Sequence, residues 1–246
     1  MGLEAVFLDL DNTLIDYAGY KLRTATAAAE ELHARGFPDT VENLVRKIFE
    51  VYKKHGMEYQ KTMHDLVVQY GLEVNRAEMF QQAALIAYNR AKFAGIQPYP
   101  GTGRTIRKLK RMSLQLAIVS DGLRNKAWQR LLLAGLEGRF DFVVTRDDTG
   151  EMKPHHAPFE LALRRLGVRP QNVLMVGDSI DGDMYGAQKL GIRTCHAAYG
   201  ANDRNVNERK GGLVRVERMT VLVRPDFTIN KLRDLPPLAA GLIRAR

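Results

Sequence analysis

Hydrophobic positions along the chain change their spacing twice, which divides the sequence into three zones. Residues 5–10 form a short apolar run that predicts a buried strand, and the run stops at Asp11-Asn12. From Tyr17 to about Pro98, apolar residues recur at helical spacing and predict a bundle of about four helices. These patterns end at glycines, which commonly follow a helix C-terminus: Gly36, Gly56, Gly71 and Gly95.

In the third zone, short apolar runs alternate with amphipathic helical segments. The predicted strands cover residues 116–119, 142–144, 173–176 and 192–195, and the predicted helices cover residues 102–111, 126–134, 157–166 and 183–190. Alternation of this kind is typical of a parallel sheet with helices on both faces. The first strand has no partner nearby in the sequence, so we expect it to join this sheet. Residues 224–229 are a candidate for a last edge strand. Residues 201–224 are polar and contain glycines, then become β-like, and fit no element firmly.

The three zones predict an α/β fold, in which a doubly wound, Rossmann-like parallel sheet carries an inserted helical bundle. We expect residues 1–16 and 98–246 to form the sheet domain. Residues 17–97 would form the inserted α-helical domain.

Composition is typical of an ordinary globular protein. The 246 residues are 45% hydrophobic and 26% charged, which excludes disordered and low-complexity classes. The single cysteine, Cys195, cannot form an internal disulfide, and Glu4 and Asp9 interrupt the apolar run that a signal peptide needs. No segment approaches the roughly 20 apolar residues of a bilayer crossing. We therefore expect a cytoplasmic protein that does not enter a membrane.

The chain carries an excess of positive charge, with 37 lysines and arginines against 28 acidic residues and a formal net charge of +9. Such a surplus favours acidic partners, either nucleic acid or phosphorylated metabolites. The basic residues are mixed with acidic ones, and no nucleic-acid-binding signature accompanies them. We expect a small phosphorylated partner and no nucleic acid.

Reactive side chains follow the predicted strands, whose carboxyl ends meet at one edge of the sheet. They are Asp9, Asp11, Ser120, Asp121, Lys153, Asp178 and Asp183. Crowded carboxylates repel one another, and Mg²⁺, which prefers oxygen ligands, would resolve that conflict. Asp9 and Asp11 are two residues apart, so on an extended strand both would face the same side. One could then attack while the other transfers a proton.

Four segments carry a family resemblance: Asp9-x-Asp11-x-Thr13, Ser120-Asp121-Gly122, Lys153-Pro154, and Gly177-Asp178-Ser179 through Asp183. In this order, each near a predicted strand end, they resemble the four motifs of the haloacid dehalogenase superfamily, in its branch of aspartate-nucleophile phosphatases. The resemblance covers most of the chain and weakens after Tyr199. It implies that residues 17–97 form an α-helical type-1 cap that closes over the site and selects the substrate.

The resemblance also implies the catalytic roles. Asp9 would be the nucleophile that forms an aspartyl-phosphate, and Asp11 would be the general acid and base. Ser120 and the N–H of Asp121 would bind the transferring phosphoryl group. Lys153 would neutralise both the nucleophile and the phosphate.

Metal-binding and orienting roles follow from the same resemblance. Mg²⁺ would be held by Asp9, by the backbone carbonyl of Asp11 and by Asp178. Asp183 would support the metal from its outer shell, and Thr13 would orient Asp11. The part played by Asp181 stays open.

These motifs predict a Mg²⁺-dependent phosphatase for a small phosphomonoester, acting as a monomer or homodimer. A haloacid dehalogenase or a phosphonate hydrolase is disfavoured, because those branches do not keep the carboxylate of Asp11. A sugar phosphomutase shares all four motifs and remains an alternative. The rival from another class is a non-catalytic module that binds phosphate or nucleic acid.

Overall fold

A computed structural model describes residues 2–200, 212–216 and 219–244. The chain divides into two compact units. The core unit comprises Met1–Asp16 and Gln97–Arg246, and the helical unit comprises Tyr17–Ile96. Each unit has its own hydrophobic core, built from the apolar positions of its own elements.

The core unit is organised around a parallel sheet. Its strands are β1 (Ala5–Leu8), β2 (Gln115–Val119), β3 (Phe142–Val144), β4 (Val173–Gly177), β5 (Arg193–Ala197) and β8 (Phe227–Ile229). Their order across the sheet is β3-β2-β1-β4-β5-β8, and every neighbouring pair is parallel. Two further strands, β6 (Gly212–Val216) and β7 (Met219–Val223), form a separate antiparallel pair.

This topology explains where a site can form. The chain winds outward from β1 through β2 to β3 and then returns to the other side of β1 with β4. A crevice opens beyond the carboxyl ends of the strands at such a reversal of winding direction. Because β1 lies between β2 and β4 in the sheet, it is buried along its whole length, which is why its residues form a continuous apolar run. The predicted doubly wound α/β fold and the edge strand near residues 224–229 are confirmed.

Helices follow the strands of the core unit. They are α5 (Thr102–Arg111), α6 (Arg124–Leu133), α7 (Arg146–Thr149), α8 (His156–Leu166), α9 (Tyr185–Gln188) and α10 (Leu235–Arg244). Helix α8 packs against β2 and β3, where Phe159 lies among buried residues such as Phe7 and Val119. Apolar side chains from the sheet and from the helices thus form the hydrophobic core of this unit.

Two sequence expectations need correction, and one open segment is assigned in part. The first strand ends at Leu8 and does not reach residue 10, so Asp9 and Asp11 do not share one strand. The helix predicted over residues 183–190 covers only Tyr185–Gln188, and a π-helical turn at Ile180–Met184 precedes it. In this turn, the N–H groups of Asp183 and Met184 both donate to the Ser179 carbonyl. The segment that fitted no element contains β6 and β7, while residues 201–211, 217 and 218 lie outside the described residues.

The helical unit contains α1 (Tyr17–Ala34), α2 (Val41–His55), α3 (Thr62–Val68) and α4 (Val74–Gly95). Alanines 25, 28 and 29 give α1 a small buried face, and α1 packs against α2 and α4. Thr40 caps α2 by accepting a hydrogen bond from the N–H of Asn43 at 3.3 Å. In the described part of the chain, no helix is both long enough and apolar enough to cross a membrane.

Candidate active site

Three central strands deliver polar side chains to the same end of the sheet. Asp9 is the first residue after β1, and its N–H donates to the carbonyl of Val176 at 2.9 Å. Ser120 follows β2, and its N–H donates to the carbonyl of Val144 at 3.0 Å. Asp178 follows β4. Asp9 and Ser120 are therefore positioned by their own strand and by a hydrogen bond to the neighbouring strand, and Asp178 by the end of β4.

Lys153 connects these strand ends. Its ammonium nitrogen lies 2.7 Å from Asp9 Oδ1 and 2.6 Å from Asp183 Oδ1. It also donates to the carbonyl of Val119 at 2.8 Å. An ammonium group has three protons, and three oxygens surround this one. The buried lysine is therefore held in one position beside the Asp9 carboxylate.

A cluster of carboxylates surrounds that lysine. One oxygen from each of Asp9, Asp178 and Asp183 lies within 4.8 Å of the other two. Three negative groups share the single positive charge of Lys153, so the cluster is short of positive charge. Because the donors are all oxygens, their chemistry fits a hard divalent cation such as Mg²⁺.

The electrostatic cost of this crowding appears in the pKa values. Burial, together with the charges of Asp9 and Asp183, raises the pKa of Asp178 to about 8. Burial also raises the pKa of Asp183 to about 7, although the nearby ammonium opposes it. Burial disfavours the charge of Lys153, but the carboxylates of Asp183 and Asp9 outweigh it and hold the lysine's pKa well above the ordinary value.

A glycine makes the placement of Asp183 possible. A Cβ atom at Gly177 would lie 2.0 Å from Asp183 Oδ2, closer than any side chain can approach. The same Oδ2 accepts a hydrogen bond from the N–H of Ser179 at 3.1 Å. Asp183 is therefore packed against backbone at the end of β4, and its carboxylate already has partners in Lys153 and Ser179.

The segment after β2 forms a tight turn. Ser120 Oγ accepts a hydrogen bond from the N–H of Gly122 at 3.1 Å. The carboxylate of Asp121 accepts one from the N–H of Lys153 at 2.8 Å, and burial raises its pKa. The side chain of Asp121 thus joins this turn to the loop that carries the lysine.

Asp11 is not part of the group of three carboxylates found among the described residues. Its Oδ2 is 3.1 Å from Nη1 of Arg130, a nearly buried residue near the end of α6. Sequence reasoning missed Arg130, because nothing in its spacing distinguishes it from other basic residues of α6. Among the described residues Thr13 Oγ1 has no hydrogen-bond partner, so the orienting role of Thr13 towards Asp11 stays a prediction.

His196 was also missed, although it lies behind a predicted metal ligand. Its ring is buried in β5, and Nε2 is 3.1 Å from the carbonyl oxygen of Asp178. Since a carbonyl can only accept, Nε2 carries the proton. Burial lowers the pKa of His196 and so favours the neutral ring. The predicted strand of residues 192–195 ends at the neighbouring Cys195, and nothing in the sequence indicates a contact between His196 and Asp178.

Several conspicuous residues do not join the cluster. Asp181 is exposed and accepts a hydrogen bond from the N–H of Gly182 at 2.9 Å, within its own turn. Burial raises the pKa of the Cys195 thiol to about 12, so the cysteine is a poor nucleophile. The structure brings Asp9, Lys153, Asp178 and Asp183 together, with Ser120 at the adjoining strand end.

Comparison with known proteins shows which family the chain is similar to. Residues 3–191 match the model of the haloacid dehalogenase-like hydrolase family, and residues 152–235 match a model of HAD-hydrolase-like proteins. Glyceraldehyde 3-phosphate phosphatase of Methanothermobacter thermautotrophicus is 33% identical over 190 residues, which are 77% of this chain and 83% of the relative. The enzyme of the same name from Methanopyrus kandleri is 30% identical over 235 residues, 95% of each chain.

A solved structure shows the same fold. The HAD phosphatase from Thermococcus onnurineus superposes with a TM-score of 0.63 at 24% identity, covering 98% of this chain and 100% of that one. The family model spans most of the chain, including all four motif segments. The chain therefore belongs to the haloacid dehalogenase-like hydrolase family, and the resemblance found in its motifs is confirmed.

Proposed function

We propose that this protein is a Mg²⁺-dependent phosphatase, which hydrolyses a small phosphomonoester through an aspartyl-phosphate at Asp9. One observation carries the proposal. The Asp9 carboxylate stands at the end of the central strand, held by Lys153 at 2.7 Å and beside the carboxylates of Asp178 and Asp183. The relatives named above are phosphatases, which supports the same reaction.

In the first step, a carboxylate oxygen of Asp9 attacks phosphorus and the bond from phosphorus to the ester oxygen breaks. Asp11 gives a proton to the departing oxygen, which leaves as an alcohol. In the second step, Asp11 accepts a proton from water while that water attacks the phosphorus of the aspartyl-phosphate. Inorganic phosphate leaves, and the Asp9 carboxylate is restored.

The remaining residues bind and orient. Lys153 fixes one oxygen of Asp9 and offsets the negative charge that collects around phosphorus. Ser120 Oγ and the N–H of Asp121 lie in the turn after β2, where they would bind oxygens of the transferring group. Since Asp183 is tied to Lys153 and to the Ser179 N–H, its role would be to orient its neighbours.

The carboxylates of Asp9 and Asp178 and the backbone carbonyl of Asp11 would hold Mg²⁺. When bound, this ion supplies positive charge that offsets the charge of the phosphoryl group. The raised pKa of Asp178 fits this assignment, because burial and the charges of Asp9 and Asp183 raise it although Lys153 opposes them, and a bound cation would offset that excess of negative charge. Asp183 would support the metal without binding it directly.

We propose that the substrate is a small phosphorylated metabolite, met in the cytoplasm. Relatives named glyceraldehyde 3-phosphate phosphatase make a three-carbon phosphate the first substrate to test. The inserted helical unit would act as the cap that selects it.

A phosphate-release screen tests this function directly. Purified protein is assayed with glyceraldehyde 3-phosphate, phosphoglycolate, hexose phosphates and nucleotides, each with and without Mg²⁺, and Asp9→Asn serves as the inactive control. We expect Mg²⁺-dependent release from at least one phosphomonoester. Sugar phosphate isomerisation without net release would instead indicate a phosphomutase, and no turnover of any kind would contradict the proposal.

A further inference from the structure

Arg130 is a buried cation that reaches into the candidate site from α6. Its side chain is only 5% exposed, and Nη1 lies 3.1 Å from Asp11 Oδ2, whose side chain is 24% exposed. A guanidinium group keeps its charge at all physiological pH values, so its burial is costly without a counter-charge. The Asp11 carboxylate supplies that counter-charge.

The path of this side chain depends on Gly122. A Cβ atom at residue 122 would lie 2.9 Å from Arg130 Nη1 and 3.3 Å from Ser120 Oγ. The backbone of Gly122 is outside the left-handed region, so an alanine could adopt its conformation without strain. A side chain at residue 122 would therefore force the guanidinium to move from its place beside Asp11.

Asp11 itself lies in a turn beyond β1. The next residue, Asn12, has a left-handed backbone with φ of 58°, and the strand has already ended at Leu8. Its partner Arg130 comes from a regular helix and is buried.

We propose that Arg130 is the positioning residue for proton transfer by Asp11, and that Gly122 is small so that the guanidinium can reach it. Oδ2 lies against the guanidinium whether Asp11 is ionised or protonated, so Oδ1 is the oxygen that carries the proton to the leaving group. This inference rests on the proposed role of Asp11 as general acid. It concerns geometry, so its effect depends on how much the leaving group needs a proton.

The test compares two substrates under saturating Mg²⁺. Departing p-nitrophenolate is stable without a proton, whereas the alkoxide of an alkyl ester such as glycerol phosphate needs one. For Arg130→Met we expect kcat/KM to fall roughly ten- to hundredfold more for the alkyl ester than for p-nitrophenyl phosphate. Because kcat/KM reports the steps up to phosphoryl transfer, a slow second step does not hide the difference. Arg130→Lys should recover part of the loss.

The matched control is Arg124→Met, which removes a second arginine from the same helix. Arg124 is exposed and pairs with Asp148 at 2.6 Å, away from Asp11. This variant should leave the ratio of the two kcat/KM values unchanged. Thermal melting of each variant shows whether it is folded, and Arg130→Lys, which keeps the charge, serves if Arg130→Met does not fold.

Gly122→Ala provides an independent measurement. We expect it to reproduce the selective loss on the alkyl ester, and to add little in the Arg130→Met background, since both changes disturb one contact. Equal losses on both substrates, or an additive double variant, would overturn the inference. Failure of the proposed function is distinguishable, because it would appear as wild-type protein without Mg²⁺-dependent turnover or as an active Asp9→Asn variant.

Discussion

A lysine lies beside a carboxylate in each unit of the chain, and the two surroundings have opposite charge balance. In the helical unit, Asp39 is a single carboxylate with several donors. It accepts hydrogen bonds from the Tyr70 hydroxyl, from Asn43 Nδ2 at 2.8 Å, and from Lys47 Nζ at 3.2 Å. In the core unit, Lys153 is a single cation beside three carboxylates.

The pKa values of the carboxyl groups differ in the direction that these two charge balances predict. The hydrogen bonds from Tyr70 and Asn43 hold the pKa of Asp39 well below its usual value. Burial and neighbouring charges raise the pKa of Asp178 to about 8. A carboxylate with enough hydrogen-bond donors stabilises the fold. Carboxylates with too few donors can instead bind a metal cation, which in turn attracts a phosphate group. The comparison therefore separates a structural acidic site from a reactive one.

The largest expected effect comes from the nucleophile. Asp9→Asn should lower phosphatase activity roughly a thousandfold or more, because an amide cannot form the acyl phosphate. The control is Asp39→Asn, which changes a carboxylate of the helical unit in the same way and should retain activity. Phosphate release measures both. Substantial turnover by Asp9→Asn, with contamination excluded, would contradict the assigned mechanism.

Metal removal should have the next largest effect. EDTA is expected to remove activity and Mg²⁺ to restore it, because Lys153 alone does not balance three carboxylates and a phosphate. The measurement is phosphate release by dialysed protein across a Mg²⁺ titration. Turnover that persists in EDTA would show that the carboxylate cluster works without a cation.

Stability should respond in opposite directions in the two units. Asp39→Asn removes a satisfied carboxylate and should lower the free energy of unfolding of the helical unit by roughly 1–3 kcal/mol. Asp178→Asn removes a repelled one and should stabilise the metal-free protein or leave it unchanged. Denaturant unfolding in EDTA measures both changes. Equal destabilisation by the two substitutions would remove the distinction between the sites.

The smallest expected effect is on the pH dependence of stability. Since the pKa of Asp178 is raised to about 8 and that of Asp183 to about 7, the folded metal-free protein binds more protons than the unfolded chain above pH about 4. Stability in EDTA should therefore fall as pH rises from about 4 to about 8. Asp39 acts oppositely, because its lowered pKa gives stability that is lost on acidification below its ordinary value.

Thermal midpoints from pH 5 to 9 would show this slope. It should flatten in saturating Mg²⁺ and in Asp178→Asn. A midpoint that rises with pH in EDTA would mean that the carboxylates already have sufficient partners.

Much of the core unit could be predicted from the sequence, because buried parallel strands leave continuous apolar runs and their ends carry the motif residues. The length of β1 could not, because Leu10 extends the apolar run past the end of the strand, while Asn12 turns the backbone. Arg130 could not be found either, since its contact with Asp11 joins residues far apart in the sequence. His196 lies in an apolar strand whose pattern hides its contact with Asp178.

Calorimetric titration of metal-free protein with Mg²⁺ tests the difference between the two acidic sites most directly. The wild-type protein and Asp39→Asn should each bind one Mg²⁺ per chain, and Asp178→Asn should bind it at least about tenfold more weakly. No saturable binding to the wild type, or unchanged binding to Asp178→Asn, would contradict the account.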